Sequence, residues 1–206
     1  MTELLRAQAL SFAWPGSPAL LRDFSGSLHA GLHWLTGDEG SGKSTLLALL
    51  AGAQAPQAGR LCAAGQWFDQ DAAAYRRQVF WIDPATQAHD ALPVQAFFDA
   101  EAARWPHFQR DTLERLAEAF GLAPHRHKPL HMLSTGSKRK VWLSAAFAAR
   151  APVTLIDQPF AALDAPSVRC LSECLAEAAE HPQRAWLVAD HEAPDWAGPH
   201  RWSLTA

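Results

Sequence analysis

The chain has 206 residues, of which 49% are hydrophobic and 19% charged. This composition excludes a disordered chain and allows either one globular core or one core with a small attached lobe. The formal net charge of −3 gives no overall attraction to polyanions, so we expect no nucleic-acid partner. The N-terminal residues lack a signal-peptide pattern and no apolar run approaches the ~18 residues of a membrane span, which predicts a cytoplasmic chain.

The first third of the chain is predicted to form strands, turns and one helix. A glycine-rich turn follows the third strand directly and leads into the helix. Strand, glycine-rich loop and helix in that order are the arrangement of a phosphate-binding loop. The predicted strands cover residues 9–14, 20–28 and 31–36, the helix covers 44–51, and after a turn at 56–59 another strand begins at Arg60.

The remainder of the chain changes character twice. Residues 84–132 carry amphipathic helical patterns, at 94–103 and 110–120, and we interpret this segment as an inserted helical lobe. Helices and strands then alternate, as in a parallel α/β sheet. The predicted elements are a helix at 137–150, a strand at 153–156, a helix at 166–180 and a strand at 185–189.

The glycine-rich turn matches the pattern G-x-x-x-x-G-K-[ST] at every specified position. Its glycines let backbone N–H groups surround phosphates, Lys43 can reach the β and γ oxygens, and Ser44 can ligate Mg²⁺. The alternative is a turn with a chance Gly-Lys-Ser. The predicted ATP-binding residues are Gly37, Asp38, Glu39, Gly40, Ser41, Gly42, Lys43, Ser44 and Thr45.

A second motif places a carboxylate near that loop. The apolar strand at 153–156 ends at Asp157, in the Walker B position, where a carboxylate can hold the water shell of Mg²⁺. Such a strand end is often structural, but ligands gather at the carboxyl ends of strands in open α/β sheets. Asp157 and Ser44 are therefore the predicted metal ligands of an MgATP site.

Residues 133–137 narrow the choice among nucleotide-binding proteins. With the motifs above, they resemble the ATP-binding cassette of ABC transporters, whose Leu-Ser-Gly-Gly-Gln signature opens a helix at this place. A polar, glycine-containing turn at a helix N-terminus suits the γ-phosphate of a partner's ATP, although alone it would be an ordinary N-cap. The pentapeptide is Leu133, Ser134, Thr135, Gly136 and Ser137, in which Thr135 and Ser137 depart from the signature.

The resemblance implies a P-loop NTPase (RecA-like) α/β fold, with a parallel-sheet core, an N-terminal antiparallel β subdomain and the inserted helical lobe. The single cassette would comprise a nucleotide-binding core at 1–83 and 133–206 and the lobe at 84–132. By the same resemblance, Asp164 belongs to a D-loop and His191 senses the γ-phosphate. Trp14 falls where the family has an aromatic ring that stacks on adenine, although a tryptophan there is more often a packing residue.

Two positions depart from the family in ways that bear on catalysis. Gln158 stands where most cassettes have a glutamate that polarises the attacking water, and an amide cannot act as a general base near neutral pH. We therefore expect slow ATP hydrolysis, with Gln158 and His191 as the catalytic residues. The family's Q-loop glutamine is also missing from its usual place, where Asp83 or Pro84 lies, and Gln87 is nearby as a substitute; the resemblance makes Asp83 and Gln87 the candidates for this role.

Two functions follow from these motifs. The first is an ATPase subunit that pairs with a second cassette and drives a separate transmembrane permease subunit, on the cytoplasmic face of the inner membrane. The second is a catalytically weak, nucleotide-gated clamp or the degenerate half of a heterodimer, which Gln158 favours. A cytosolic ABC protein of translation or DNA maintenance, and a kinase or GTPase, explain fewer of the motifs. The compact cassette also resembles small bacterial exporter subunits of the haem-exporter type.

A metal site is the alternative for a few other residues. Cys170 and Cys174 are spaced to share a helix face, and His125 and His127 flank Arg126. We interpret the cysteines, with Cys62, as small buried hydrophobic residues and the histidines as part of a solvated loop.

Overall fold

The computed structural model describes residues 3–198 and 200–204, which form two compact units. The first unit contains the residues up to Trp81, residues 152–158 and the residues from Glu177 onward. The second contains residues 82–151 and 159–176. In the part of the chain that is described, no helix has the length and apolar character needed to cross a bilayer.

The first unit holds two sheets. The antiparallel sheet has the strand order β2-β1-β4-β5 and the parallel sheet the order β6-β7-β8-β3-β9. The predicted α/β class, with a parallel core and an N-terminal antiparallel subdomain, is confirmed. The strands of the described residues are β1 (Glu3–Ala13), β2 (Ala19–His29), β3 (Gly31–Thr36), β4 (Ala58–Ala63), β5 (Gln66–Trp67), β6 (Val79–Phe80), β7 (Val153–Asp157), β8 (Ala185–Asp190) and β9 (Arg201–Ser203).

The central strands of the parallel sheet are apolar on both faces because helices and the other sheet cover them. Every residue of β7 is buried, and in β3 only Thr36 is partly exposed. Helix α1 (Lys43–Leu50) packs against β7 and β8 through Leu46, Leu47 and Leu50, which are fully buried. A fully buried leucine contributes about 1.5–3 kcal/mol, so this packing holds the start of α1 against the sheet.

Short elements complete the first unit. Helix α2 (Ala72–Arg76) begins at Asp71, whose side chain accepts a hydrogen bond of 2.8 Å from the Ala74 amide. The buried hydroxyl of Tyr75 donates to the Leu50 carbonyl over 2.6 Å, which ties α2 to the end of α1. This bond satisfies one of the carbonyls that a helix terminus leaves without an intrahelical partner.

The second unit is helical. Its elements are α3 (Val94–Arg104), α4 (Arg110–Ala119), α5 (Thr135–Ala149) and the larger part of α6 (Ala165–Ala179), with short 3₁₀ turns at Ala123–His125 and Leu130–Met132. Helix α4 buries Leu113, Leu116 and Ala117, which share one face at helical spacing, and its C-cap residue Phe120 is also buried. The Ala148 carbonyl of α5 accepts a 2.8 Å hydrogen bond from the Gln109 amide at the start of α4.

The differences from the predicted elements have local causes. Strand β1 begins at Glu3, six residues before the prediction, because Ala9 has a positive φ of 48° and the pairing register shifts between Ala7 and Leu10. That bulge interrupts the alternation on which the prediction rested. Strands β5 and β6 have two residues each and carry no period, so sequence pattern did not predict them.

The interpretation of the cysteines was wrong for two of the three. Cys174 is buried, whereas Cys62 and Cys170 are partly exposed. Helix α6 does place Cys170 and Cys174 one turn apart. His125 is half-buried in a 3₁₀ turn and His127 is exposed. Among residues 3–198 and 200–204, no three His, Cys, Asp or Glu side chains are grouped so that they could hold a metal ion.

Buried His33 predicts a pH dependence of stability. The ring lies against that of His200 at 5.0 Å, its Nε2 is 2.9 Å from the His29 carbonyl oxygen, and burial lowers its pKa. In the unfolded chain this histidine binds a proton near pH 6.5, whereas in the folded chain it stays neutral at that pH. The free energy of unfolding therefore decreases as pH falls below about 6.5. We expect His33→Gln to flatten the decline in unfolding free energy from pH 7 to 5, by at most about 1.4 kcal/mol per pH unit.

Urea titrations of both proteins at pH 5, 6 and 7 measure this difference, with exposed His107→Gln as the matched control. If the free energy of unfolding falls as steeply between pH 7 and 5 in His33→Gln as in the wild type, His33 does not cause the decline.

Candidate functional site

The carboxyl ends of three adjacent parallel strands bring the first-unit candidates to one edge of the sheet. Thr36 at the end of β3 pairs with Asp190 at the end of β8, and Asp157 at the end of β7 pairs with Ala189. Neighbouring strands lie about 4.8 Å apart, so the residues that follow these ends meet at a common edge. The phosphate loop (residues 37–44), Asp157, Gln158 and His191 therefore share it.

The phosphate loop depends on glycine at two positions. Gly42 is the N-cap residue of α1 with φ 95°, a conformation that L-residues rarely adopt, and a Cβ there would lie 2.9 Å from Leu20 of β2. At Gly37 a Cβ would overlap the carbonyl oxygen of Leu204, which follows β9. The loop thus contacts β2 on one side and the residue after β9 on the other. A side chain larger than glycine would clash at position 42 and at position 37.

Lys43 lies inside the loop. Only 5% of its surface is exposed, and its Nζ donates hydrogen bonds to the carbonyl oxygens of Gly37 at 2.5 Å and Asp38 at 2.7 Å. An ammonium group has three N–H donors, so these two bonds orient the group and leave one donor for a further oxygen. The loop therefore holds a positive charge at a fixed point beside the α1 N-terminus.

These residues fit a phosphate group. The N-terminus of α1 receives no side-chain cap, so its first amide N–H groups can donate to an anion. The buried Ser41 hydroxyl has no hydrogen-bond partner among the described residues. Uncapped amides, the oriented ammonium of Lys43 and this hydroxyl supply the donors that phosphate oxygens require.

The other first-unit candidates differ in exposure. Asp157 is buried at the end of β7, whereas Ser44, on the first turn of α1, is exposed. Gln158 is half-buried and has a left-handed φ of 45°. Its backbone N–H donates a hydrogen bond of 2.8 Å to the Ala189 carbonyl. His191 is exposed, and its amide donates to its neighbour's side chain, Asp190 Oδ1, at 2.8 Å.

Trp14 lies at the end of the β1–β2 hairpin. The residue is 48% exposed, and its ring meets the Phe12 ring edge to face, with centroids 5.0 Å apart. The hairpin that carries Trp14 also places Leu20 next to Gly42 of the phosphate loop. A half-exposed indole held by one aromatic neighbour can accept a planar ring on its free face.

The signature turn (residues 133–137) lies in the second unit and opens α5. Ser134 is the N-cap residue, and its hydroxyl accepts from the Ser137 amide at 3.2 Å and donates to the Ser137 hydroxyl at 3.0 Å. Leu133 and Gly136 are buried, and Thr135 is exposed. Ser134 thus makes an ordinary helix cap, which leaves its role toward a partner's ATP a prediction.

The remaining candidates are also in the second unit. Asp164 precedes α6, and its carboxylate accepts from the Ser167 amide at 2.9 Å and from Lys140 Nζ at 2.6 Å. The Lys140 ammonium, with hydrogen bonds from Ser167, holds the pKa of this carboxyl well below its usual range. Asp83 Oδ1 accepts from the Ala85 amide in a local turn, and the Gln87 side chain is exposed.

Gly136 predicts a stability effect. A Cβ at this position would overlap the carbonyl oxygen of Ala162, a backbone atom of the D-loop (residues 159–164). Alanine gains about 1 kcal/mol of helix propensity over glycine, but overpacking against backbone costs up to about 3 kcal/mol, so the clash wins. We expect Gly136→Ala to lower the unfolding free energy by about 2 kcal/mol in urea titrations. Gly198→Ala, where a Cβ meets open space, is the matched control, and equal stability of the two variants would contradict the close approach.

Sequence reasoning missed a group of side chains next to the signature turn. Lys138, Arg139 and Lys140 follow it directly, and all three contact acceptors on distant loops of the second unit. Their consecutive positive charges were visible in the sequence. Which acceptors they reach was not, because Asp90 and Asp164 lie 48 and 24 residues away.

Comparisons with known proteins agree with this set of motifs. The family model described as "ABC transporter" matches residues 21–161. A cytochrome c biogenesis ATP-binding export protein, CcmA of Pseudomonas syringae pv. syringae (strain B728a), is 34% identical over 193 residues, which cover 92% of this chain and 89% of that protein. The nickel import ATP-binding protein NikO of Rhodobacter capsulatus is also 34% identical, over a match that covers 93% of this chain and 81% of that protein.

Solved structures show the same fold. One described as "Structure of ATP binding subunit of ABC transporter" superposes with a TM-score of 0.80 at 25% identity, covering 91% of this chain and 79% of that chain. A putative ABC transporter ATP-binding protein from Pyrococcus furiosus has a TM-score of 0.77 at 18% identity, over 98% of both chains. The resemblance to haem-exporter-type cassettes is confirmed by the relatives named CcmA.

Proposed function

The chain belongs to the ABC transporter family of ATP-binding proteins, and from that membership we propose that it binds MgATP at a cassette dimer interface and drives a separate transmembrane subunit. Members of this family are ATPases coupled to transport. The observation that carries the proposal is Lys43, whose ammonium is fixed inside a loop that also presents the uncapped N-terminus of α1.

In the proposed site the phosphates of ATP contact the amides at the start of α1, and Lys43 donates to a phosphate oxygen. Ser44 and Asp157 would hold Mg²⁺, which neutralises phosphate charge when bound. Trp14 would stack on the adenine. His191, which follows strand β8, would donate a hydrogen bond to the γ-phosphate or the attacking water.

The proposed dimer places the signature turn of one cassette on the nucleotide of the other. Ser134, Thr135, Gly136 and Ser137 lie at the N-terminus of a 15-residue helix, which favours a γ-phosphate there. Asp164 would lie at the same interface, and Asp83 or Gln87 would report the state of the site to the second unit. The transmembrane partner would receive the closing motion at the cytoplasmic face of the membrane.

Hydrolysis at this site is proposed to be slow because Gln158 has an amide where a general base is needed. The same residue favours a second function, a nucleotide-gated clamp or the degenerate half of a heterodimer. In that case a competent second cassette supplies the catalytic glutamate, and this chain contributes ATP binding and closure.

Light scattering coupled to size-exclusion chromatography tests the proposal, with the purified chain in MgATP, in MgADP and without nucleotide. We expect a dimer in MgATP and a monomer in the other two conditions. A chain that binds MgATP yet stays monomeric would support the heterodimer, in which co-purification from the source cell should yield a second cassette. A chain that binds no MgATP would refute both functions.

A further inference from the structure

Three consecutive basic side chains on the first turns of α5 each reach a different acceptor. Lys138 Nζ contacts Asp90 Oδ1 at 2.6 Å, and Lys140 Nζ contacts Asp164 Oδ2 at 2.6 Å. Between them, Arg139 donates from its guanidinium to the Ala161 carbonyl. The three residues, called here the basic triplet (residues 138–140), begin directly after the signature turn.

These contacts differ from ordinary surface ion pairs. Exposed pairs contribute little, because two long side chains must be ordered in water for one weak attraction. The difference lies on the basic side: Lys138 is 19% exposed, Lys140 is 13% exposed and Arg139 is buried, whereas the carboxylates of Asp90 and Asp164 are 28% and 57% exposed. Long side chains that are mostly covered have few rotamers open to them, so their charged ends stay near their acceptors.

The acceptors lie on the two loops that carry the other candidate residues of this unit. Asp90 belongs to the loop at residues 83–92. In this loop the Asp83 side chain accepts from the Ala85 amide. The backbone amide and the ring of His131 both contact the Asp90 carbonyl. Ala161 and Asp164 belong to the D-loop. In that loop Ala162 has a left-handed φ of 60° and its carbonyl touches Gly136. A strained turn persists only where its surroundings fix it.

We propose that Lys138, Arg139 and Lys140 are positioning residues that fix the 83–92 loop and the D-loop to the signature turn. A second cassette then meets three segments in one preset arrangement. This inference rests on the proposed function, because it assigns the preset surface to the pairing of cassettes.

Preorganisation has a measurable consequence. Ordering a loop during association weakens binding, so a loop that is already held favours the dimer. The partners of the triplet lie in the second unit, whereas the contacts of Lys43 lie in the first. Loss of a triplet contact should therefore weaken ATP-dependent dimerisation and leave the affinity of one chain for MgATP unchanged.

Sedimentation velocity in saturating MgATP, together with calorimetric MgATP binding at concentrations where the chain is monomeric, tests this. We expect Lys138→Met and Lys140→Met each to weaken dimerisation about fivefold, within the range of coupling through such networks. Exposed Lys128→Met makes the same charge change in the same unit and should dimerise as the wild type does. Unlike Lys140→Met, the Lys140→Arg variant should dimerise nearly as the wild type does, because a guanidinium can still pair with Asp164.

Hydrogen exchange of the same proteins gives a readout that does not depend on dimerisation. We expect faster amide exchange in residues 159–164 for Lys140→Met and in residues 83–92 for Lys138→Met, and no change for Lys128→Met. Unchanged exchange, or a loss of monomer MgATP affinity equal to the loss of dimerisation, would overturn the positioning role. If the wild type forms no dimer with itself, the homodimer form of the proposed function fails, and exchange in the two loops still decides whether the triplet holds them.

Discussion

Replacing Lys43 with alanine is expected to weaken MgATP binding at least about 100-fold. The ammonium is buried inside the phosphate loop and bonded to the carbonyls of Gly37 and Asp38, so its removal takes away a positive charge that is fixed at this point. The loop also loses the two bonds that join its first residues to the start of α1. Both effects act on phosphate binding in the same direction.

Isothermal titration calorimetry with MgATP measures the loss, and Lys128→Ala is the matched exposed lysine. Thermal unfolding of both variants separates a local effect from a failure to fold, because a folded Lys43→Ala chain keeps its cooperative transition. Retention of wild-type affinity by folded Lys43→Ala would mean that the nucleotide binds elsewhere.

The Gln158→Glu variant is expected to hydrolyse ATP about 100-fold faster than the wild type. A carboxylate can accept a proton from the attacking water and an amide cannot, and general-base catalysis contributes about 10²–10⁴. The substitution keeps the size of the side chain, and the backbone bond from residue 158 to Ala189 does not depend on it. Phosphate release in steady state, in saturating MgATP, measures the change.

A second substitution at this position separates the effect of a base from the loss of the side-chain amide. Gln158→Ala is the control that removes the amide without supplying a base. A wild-type rate equal to that of Gln158→Glu would show that another group activates the water.

The parts of this protein that sequence predicted well are those with a strong local signal. Strand β3 was predicted with its observed bounds because an apolar run ends directly at the glycine-rich turn. Gly37 and Gly42 were singled out by the motif, and the structure adds what excludes larger residues there, the Leu204 carbonyl and the Leu20 side chain. Those neighbours come from a distant segment and from another strand, so no local pattern could name them.

The parts that sequence missed depend on contacts between distant segments. Strand β9 has three residues and exists because it pairs with β3, whose sequence lies more than 160 residues earlier. The basic triplet was not singled out from the sequence, and only the fold shows that its side chains contact Asp90, Ala161 and Asp164. The left-handed backbone of Gln158 was likewise invisible, because glutamine has no preference for that conformation.

The most direct measurement is a single-turnover assay in which excess wild-type protein receives γ-labelled MgATP, and protein-bound nucleotide and free phosphate are followed together. We expect the nucleotide to be retained on the protein and most of it to be still ATP after times long compared with the ~0.1 s turnover of a typical enzyme. No retained nucleotide, or release of the label as phosphate within a few such turnovers, would contradict it.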